Sequence, residues 1–368
     1  MKIKQNLLKY YKIFIELNIN NAKIKIYLDE EYKNINEVKN IISEIKNKYF
    51  LNVYSLSSEH KSLPRPHVLN TINMFKLAYT ELGMSPNKTM PLEENLYMER
   101  FITYPRTETT KYSPSFDFKN NLKKFEGDET FGKEVKELIF DFDNFNLITP
   151  SRMPNEGELR GKQNDLFKLI CNYYFATLSP SLEYDKINYK FQIGNKIYNA
   201  ETSFIEDIKF LKLIPFKNKN FIDSKNKLKE NIDYQILNAS FEERKINDYI
   251  TEAELIEEME KKHIGTDASM IVHIDNIERR GYVRVDDKRR LIPTKLGKAL
   301  IEALESVEPD IVLPENRGKI EEFISQLADG KKNYDEVLDY ALQFYKKKFY
   351  SINEKVDLLY EVFAKYFD

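Results

Sequence analysis

One cysteine, Cys171, occurs in 368 residues. A single thiol excludes an internal disulfide and a zinc site built from four cysteines, and it fits a reducing compartment. Histidine is nearly as scarce. His60, His67, His263 and His273 leave little material for a histidine-based metal centre. No run approaches the roughly 18 apolar residues of a membrane span. The opening MKIKQNLLKYYKIF lacks the apolar stretch of a secretory signal. Charge of one sign is missing too: the formal net charge of −2 gives no average sign of a nucleic-acid binder.

What is present describes a globular chain, 42% hydrophobic and 32% charged, long enough for two or three domains and a sizeable core. The balanced average hides one stripe. From Arg279 to Lys298, eight basic residues oppose only Asp286 and Asp287, a local charge of +6. Such a run is either a solvated face or a surface for anions.

The apolar pattern predicts an α+β protein, mainly helical. Residues 10–28 alternate on both sides of Asn20-Asn21 and read as a β-hairpin. Val38, Ile41, Ile42 and Ile45 recur at helical spacing. YFLNVYSL then reads as a strand, and Pro64 and Pro66 close the region. VLNTINMFKLAYTELG reads as a helix ending on Gly83. Ser85-Pro86 opens another that runs towards Arg100, with Met90, Tyr97 and Phe101 on one face. Leu166, Leu169, Ile170, Tyr173 and Tyr174 mark a further helix. A second hairpin, KINYKFQI-GN-KIYNAETSF, follows. The β character therefore brackets a helical block, which is the pattern of a helical insertion into a β domain. Residues 217–232 read as a polar loop, and from about residue 239 the chain reads as mostly helical. There, Ile320, Phe323, Ile324 and Leu327, and Val337, Leu338, Ala341 and Leu342, form two stripes expected in a core.

Two stretches point to chemistry. In FITYPRTETTKYSP, Pro105 fixes its own φ and pushes Tyr104 towards extended geometry. Arg106 would then lie on the same side of the chain as Tyr104. A run of hydroxyls follows: Thr109, Thr110, Tyr112 and Ser113. A guanidinium beside a phenol favours phenolate and can hold a phosphodiester. The grouping suits a tyrosine that attacks phosphate; the plainer reading is a core tyrosine beside a surface arginine. In residues 263–300, Gly265 ends a turn, and the short polar residues Thr266, Asp267 and Ser269 suit a helix start. GYVRV, DDKRR and LIPT then make a small hairpin with a basic tip carrying Arg289 and Arg290. This is a winged-helix pattern, whose helix start and wing suit phosphate but which also serves as an interaction module. Asp141 and Asp143, a D-x-D pair without a nearby third acid, read as a polar-apolar loop or strand rather than a metal site.

With these segments in hand, the sequence resembles the type IA DNA topoisomerases, and within them the eukaryotic topoisomerase III beta branch. The stretches that carry the likeness are LNTINMFKLAYTELGMSPNKTMPLEENLYMERFITYPRTETTKYSP, YITEAELIEEMEKKHIGTDASMIVHIDNIERRGYV, KRRLIPTKLG and LPENRGKIEEFISQLADGKKNYDEVL. The resemblance implies the central domains of a padlock-shaped ring: residues 1–67 and 179–238 as a β-rich arch, 68–178 as a winged-helix-like tyrosine domain, and 239–368 as a helical base. It implies ATP-independent cleavage and resealing of one strand through a 5′-phosphotyrosyl bond. Tyr104 falls on the nucleophile, Arg106 on the arginine that holds the scissile phosphate, and Thr107 on the neighbouring hydroxyl. Gly265, Thr266, Asp267 and Ser269 fall on the element that grips single-stranded DNA, with Arg289 and Arg290 on its wing.

Two departures qualify these expectations. The family's Toprim domain, which supplies a magnesium-binding acidic cluster, a glutamate general acid and a lysine, has no match in the sequence. This chain is therefore expected to hold no Mg2+ itself, and to act with a separate Toprim-containing chain. The family also carries a histidine before an ITP segment. Here Ile148-Thr149-Pro150 is preceded by FDFDNFNL, and no histidine occurs from residue 68 to 262. The expected partners are single-stranded DNA and in the alternative RNA, with no membrane. The expected compartment is the nucleus, with the cytoplasm as alternative. The competing readings are a degenerate protein that only binds single strands, and an interaction scaffold that has lost nucleic-acid binding.

Overall fold

Asn20 and Asn21 adopt φ of 50° and 65°, the left-handed pair that a tight hairpin turn requires and that asparagine tolerates. They join Leu8–Ile19 (β1) to Ala22–Tyr32 (β2), paired antiparallel. The computed structural model describes residues 8–107, 118–126, 148–214, 221–246, 249–265, 267–287 and 289–367. The described residues within Met1–His67, Phe118–Asp143 and Asn172–Asp248 form one compact unit, and those within Val68–Asp117, Asn144–Cys171 and Tyr249–Asp368 form a second.

The first unit is built on a seven-stranded sheet. Its further strands are Phe50–Leu63 (β3), Leu182–Ile193 (β4), Lys196–Ile205 (β5), Phe221–Asp223 (β6) and Asp233–Ile246 (β7), in the order β2-β1-β7-β3-β4-β5-β6. Period-two alternation sends Ile13, Ile15 and Leu17 of β1 and Ile24, Ile26 and Leu28 of β2 to one face. Helix α1 (Ile35–Lys46), capped by the Asn34 side chain, seats Val38, Ile41, Ile42 and Ile45 on that face. Burying each such side chain is worth about 1.5–3 kcal/mol. The sheet curls until β2 meets β5, where the Glu201 N–H donates to Asp29 Oδ1 at 3.0 Å.

Two expectations fail here, and a third holds only in part. Residues 217–232 are not all loop: Phe221–Asp223 pairs in parallel with β5. Residues 239–246 are not helical but complete β7, which pairs with β1 from Leu8↔Ile246 to Leu17↔Ile236. Helix resumes only at Glu252. The third concerns Ser85-Pro86, which opens a helix, Pro86–Met98, whose buried positions are Pro86, Thr89, Glu93 and Leu96. Of the expected face of Met90, Tyr97 and Phe101, Phe101 is buried and Met90 packs half-buried against the Ile72 and Phe75 core, but Tyr97 is exposed. Asp141, Asp143, Thr109, Thr110, Tyr112 and Ser113 lie outside the described residues.

The second unit gathers α2 (Thr71–Leu82) and α3 (Pro86–Met98), then a run of helices later in the chain. Between them in sequence come α4 (Phe118–Lys123) and α5 (Gly161–Leu178). The run comprises α6 (Glu252–Lys261), α7 (Asp267–Arg279), a hairpin of β8 (Val283–Val285) and β9 (Leu291–Pro293), α8 (Lys295–Val307), α9 (Pro314–Ala328), α10 (Tyr334–Glu354) and α11 (Val356–Ala364). Helices α6 and α7, the hairpin and α8 realise the winged-helix pattern. Gly297 shows how tightly it closes: a Cβ there would stand 2.1 Å from the Tyr282 carbonyl oxygen. Ile72 and Phe75 of α2 pack with Ile256, Met259, Met270, Ile271, Ile274 and Leu291. The two stripes near the C-terminus are core only in part. Ile320 and Val337 are buried, whereas Ile324, Leu338 and Leu342 are exposed.

Candidate functional site

Helix α3 ends in a left-handed residue, Arg100 at φ 63°. The Phe101 N–H reaches back to the Leu96 carbonyl at 2.8 Å, and the Arg100 N–H to that of Tyr97 at 2.9 Å. This closing turn drives Phe101 into the core, where its ring meets Phe167 edge-on at 5.8 Å. The Arg152 guanidinium lies over the same ring at 3.7 Å and donates to the Glu99 carbonyl at the end of the helix.

From there residues 101–107 are held on both sides. Ile102 bridges Pro150. The Thr103 N–H donates to the Thr149 carbonyl at 2.9 Å, and the Thr149 N–H to Thr103 Oγ1 at 2.8 Å. Downstream, Thr71 at the start of α2 forms a second clamp. Its Oγ1 accepts from the Thr107 N–H at 2.8 Å and lies 2.8 Å from the Pro105 oxygen and 3.1 Å from the Thr107 oxygen. Its own N–H donates to the Thr107 carbonyl at 3.1 Å. Thr71 is fully buried.

Between the clamps burial alternates. Pro105 is buried, while Tyr104 and Arg106 are exposed. This is the same-side placement that extended backbone predicts. Tyr104 is 54% exposed, with its ring edge-on to Tyr97 at 5.3 Å. It is not the sealed core tyrosine of the plainer reading. The Arg106 guanidinium donates to Glu94 Oε1 on α3. That bond, and the charge of Glu94 behind it, raise the Arg106 pKa above its ordinary value.

Beside this pair sits a carboxyl of opposite character. Glu93 is 1% exposed, and its Oε1 has no hydrogen-bond partner. Burial pushes its pKa well above the usual range, and the neighbouring Glu94 pushes it further.

The winged-helix residues divide in two. Gly265 stands at φ 81°, and a Cβ there would lie 2.8 Å from Ser269 Oγ, so glycine is required at this turn into α7. Ser269 is half-buried, one turn into the helix. Thr266 lies outside the described residues, as does the Asp267 side chain. The wing arginines are engaged within the protein. Arg289 donates to buried Glu252 from Nε at 2.7 Å and pairs with it through a second nitrogen at 2.5 Å. Arg290 does the same to Asp286 at 2.7 and 2.5 Å. Both are therefore committed to carboxylates that a phosphate would have to displace.

Sequence reasoning found Tyr104 and Arg106 but missed Thr71, Glu94 and Arg152. Their contacts join residues 12 to 53 apart and follow no local periodicity. The structure also ties the two motifs to one core, because α2 carries Thr71 at its first turn and packs through Ile72 and Phe75 against α7.

A family model described as DNA topoisomerase matches residues 3–339. The chain is 34% identical over 310 residues to human DNA topoisomerase 3-beta-1, covering 81% of this chain and 36% of that protein. It is 33% identical over 328 residues to Arabidopsis thaliana DNA topoisomerase 3-beta, covering 84% and 37%. The chain thus spans little more than a third of the length of these curated relatives. Among solved structures, full-length topoisomerase I from Thermotoga maritima superimposes with a TM-score of 0.70 at 21% identity, covering all of this chain and 60% of that one. The mixed α and β architecture expected from the sequence is the fold this likeness shows.

Proposed function

The chain belongs to the type IA DNA topoisomerases, and we propose that it is the strand-cleaving core of such an enzyme, with Tyr104 as nucleophile and Arg106 as the holder of the scissile phosphate. One observation carries this reading. A single phenol stands exposed between two hydrogen-bonded clamps, with a guanidinium two residues on and on the same side.

The clamps fix the backbone, so the phenol is brought to a strand with little conformational freedom left to lose. In the cleavage step the phenol loses its proton, the Oη–P bond forms and the P–O3′ bond breaks. The departing 3′-oxygen takes up a proton. A phosphodiester has become a phosphotyrosyl diester of similar energy, so the reverse attack reseals the strand without nucleotide hydrolysis. Arg106 offers its planar fork to the phosphate oxygens. The orphan N–H groups at the start of α7, next to Gly265, Thr266, Asp267 and Ser269, hold the backbone of the single strand. Arg289 and Arg290 support the wing rather than meet the strand. Tyr104 and Arg106 engage only phosphate, so we extend the proposal from single-stranded DNA to RNA.

The family implies Mg2+. Among the described residues, no group of three or more histidine, cysteine or acidic side chains is placed to hold a metal. We therefore propose that the ion, the proton donor for the 3′-oxygen and a second cation at the phosphate come from a Toprim domain outside these residues. That domain can be carried by a separate chain.

The test uses a 3′-end-labelled single strand with magnesium. Denaturation should reveal little covalent adduct with the chain alone. Adduct should accumulate once a Toprim-bearing protein of this family is added, and should vanish in Tyr104→Phe. Adduct persisting in Tyr104→Phe would overturn the assignment.

A further inference from the structure

We propose that the first unit holds a binding site for a phosphomonoester dianion, separate from the tyrosine segment. The curled sheet forms a cavity of about 370 Å³, within the range of small-molecule pockets, roughly 300–1,000 Å³. Five strands send one cation each into it: Lys12 from β1, Lys25 from β2, Lys61 from β3, Lys186 from β4 and Arg244 from β7. The Thr202 and Ser203 side of β5 adds hydroxyls to the lining, and Glu201 is its one carboxylate.

These cations are only partly neutralised. Lys25 donates to Glu242 at 2.5 Å, and Arg244 approaches the same carboxylate at 3.7 Å. Lys186 pairs with Glu201 at 2.6 Å, and Lys61 with Glu59 at 3.1 Å. Lys12 is half-buried and makes no ion pair among the described residues. Five cations and one carboxylate, Glu201, line the pocket, while Glu242 and Glu59 pair with its cations from beside it, and Glu31 and Glu16 stand opposite Lys12 and Lys25 in the strand register. Like charges drawn from five strands into one lining repel, and an anion among them relieves that repulsion.

The Tyr27 ring is not a free stacking platform. Lys25 lies 4.9 Å and Arg244 5.5 Å from its centroid, and its hydroxyl donates to Glu242 at 2.7 Å. The pocket therefore selects charge and hydrogen-bonding oxygens rather than a base. A phosphomonoester near pH 7 carries about −1.5 to −2 charge and three acceptor oxygens, which suits a lining of five cations and two hydroxyl residues. The terminal 5′-phosphate of a strand and a free mononucleotide share this chemistry.

Isothermal titration of the full chain with inorganic phosphate, a 5′-mononucleotide, and oligonucleotides bearing 5′-phosphate or 5′-hydroxyl ends tests the proposal. Inorganic phosphate should bind saturably. Lys12→Gln should weaken it by roughly 10-fold or more, the loss of one charge-assisted hydrogen bond. Glu201→Gln should tighten it by releasing Lys186, a gain that a merely structural role would not produce. A stronger response to the 5′-phosphorylated oligonucleotide assigns the site to strand ends, and a response confined to the mononucleotide assigns it to free esters. Absence of saturable phosphate binding would overturn the proposal. So would binding indifferent to both substitutions, or equal binding of the two oligonucleotides with the mononucleotide inert.

Discussion

If Arg106 holds the scissile phosphate, it must first leave Glu94. Both side chains are 43% exposed, so the pair belongs to the surface class, worth about 0.2–1 kcal/mol. Glu94→Gln removes that competition and should tighten single-strand binding by roughly 1.4- to 5-fold. The substitution also removes a carboxylate close to the incoming phosphate. Two unit charges at about 4 Å in a water-like dielectric repel by roughly 1 kcal/mol, which sets the ceiling near 30-fold at low salt. Added salt should shrink the gain, because both contributions are screened over about 10 Å at 0.1 M. The assay is a fluorescence-anisotropy titration of a labelled single strand at two salt concentrations, with wild type, Glu94→Gln, Arg106→Gln and the double variant. In the Arg106→Gln background only the repulsion part should remain. Unchanged or weaker binding in Glu94→Gln would refute the reasoning. So would an undiminished gain in the double variant, since Glu94 would then not act through Arg106.

Thr71→Val keeps the shape of the side chain but deletes the hydroxyl that meets Pro105 and Thr107. It should cost about 1–3 kcal/mol and raise amide exchange through residues 103–107, with Thr71→Ser restoring protection. Arg289→Ala strands buried Glu252 without its partner, and breaking such a pair costs roughly 3–5 kcal/mol. Denaturant unfolding should report that loss, and wild-type stability would show that Arg289 is not the wing's anchor. Glu93 gives a pH signature. Its folded pKa is raised, so the folded state keeps a proton that the unfolded chain releases above 4.5. Its contribution is favourable below that pH and is lost as pH rises towards the folded value. Glu93→Gln should abolish this decline and stabilise the protein at pH 7 relative to wild type; melting curves from pH 4 to 8 decide it, and parallel curves for the two proteins would refute it.

Where local rules govern, the sequence was legible. Asn20-Asn21, Gly83 and Gly194 take the left-handed φ that their turns demand, and α1 buries the four residues its spacing marked. Tyr104 was legible because Pro105 and Arg106 advertise its geometry from adjacent positions. Strand β7 was not. Only Ala239 is fully buried among its described side chains, so its apolar signal is faint and its identity comes from pairing with β1. Glu93 was also hidden, because acidic residues in a helix are expected on the surface and nothing local says otherwise. The wing arginines looked available because Glu252 lies 37 residues from Arg289 in the chain.

The place of β7 between β1 and β3 governs how this molecule is made. Leu8 finds Ile246 only after nearly the whole first unit has been translated. At about 5–20 residues per second, β1 waits roughly 10–50 s with one edge bare while the tyrosine segment emerges from the ribosome. A bare strand edge invites pairing with other chains, and distant pairings close slowly. Newborn copies are thus most vulnerable to aggregation before residue 246, and a stop upstream of it leaves a sheet that cannot close.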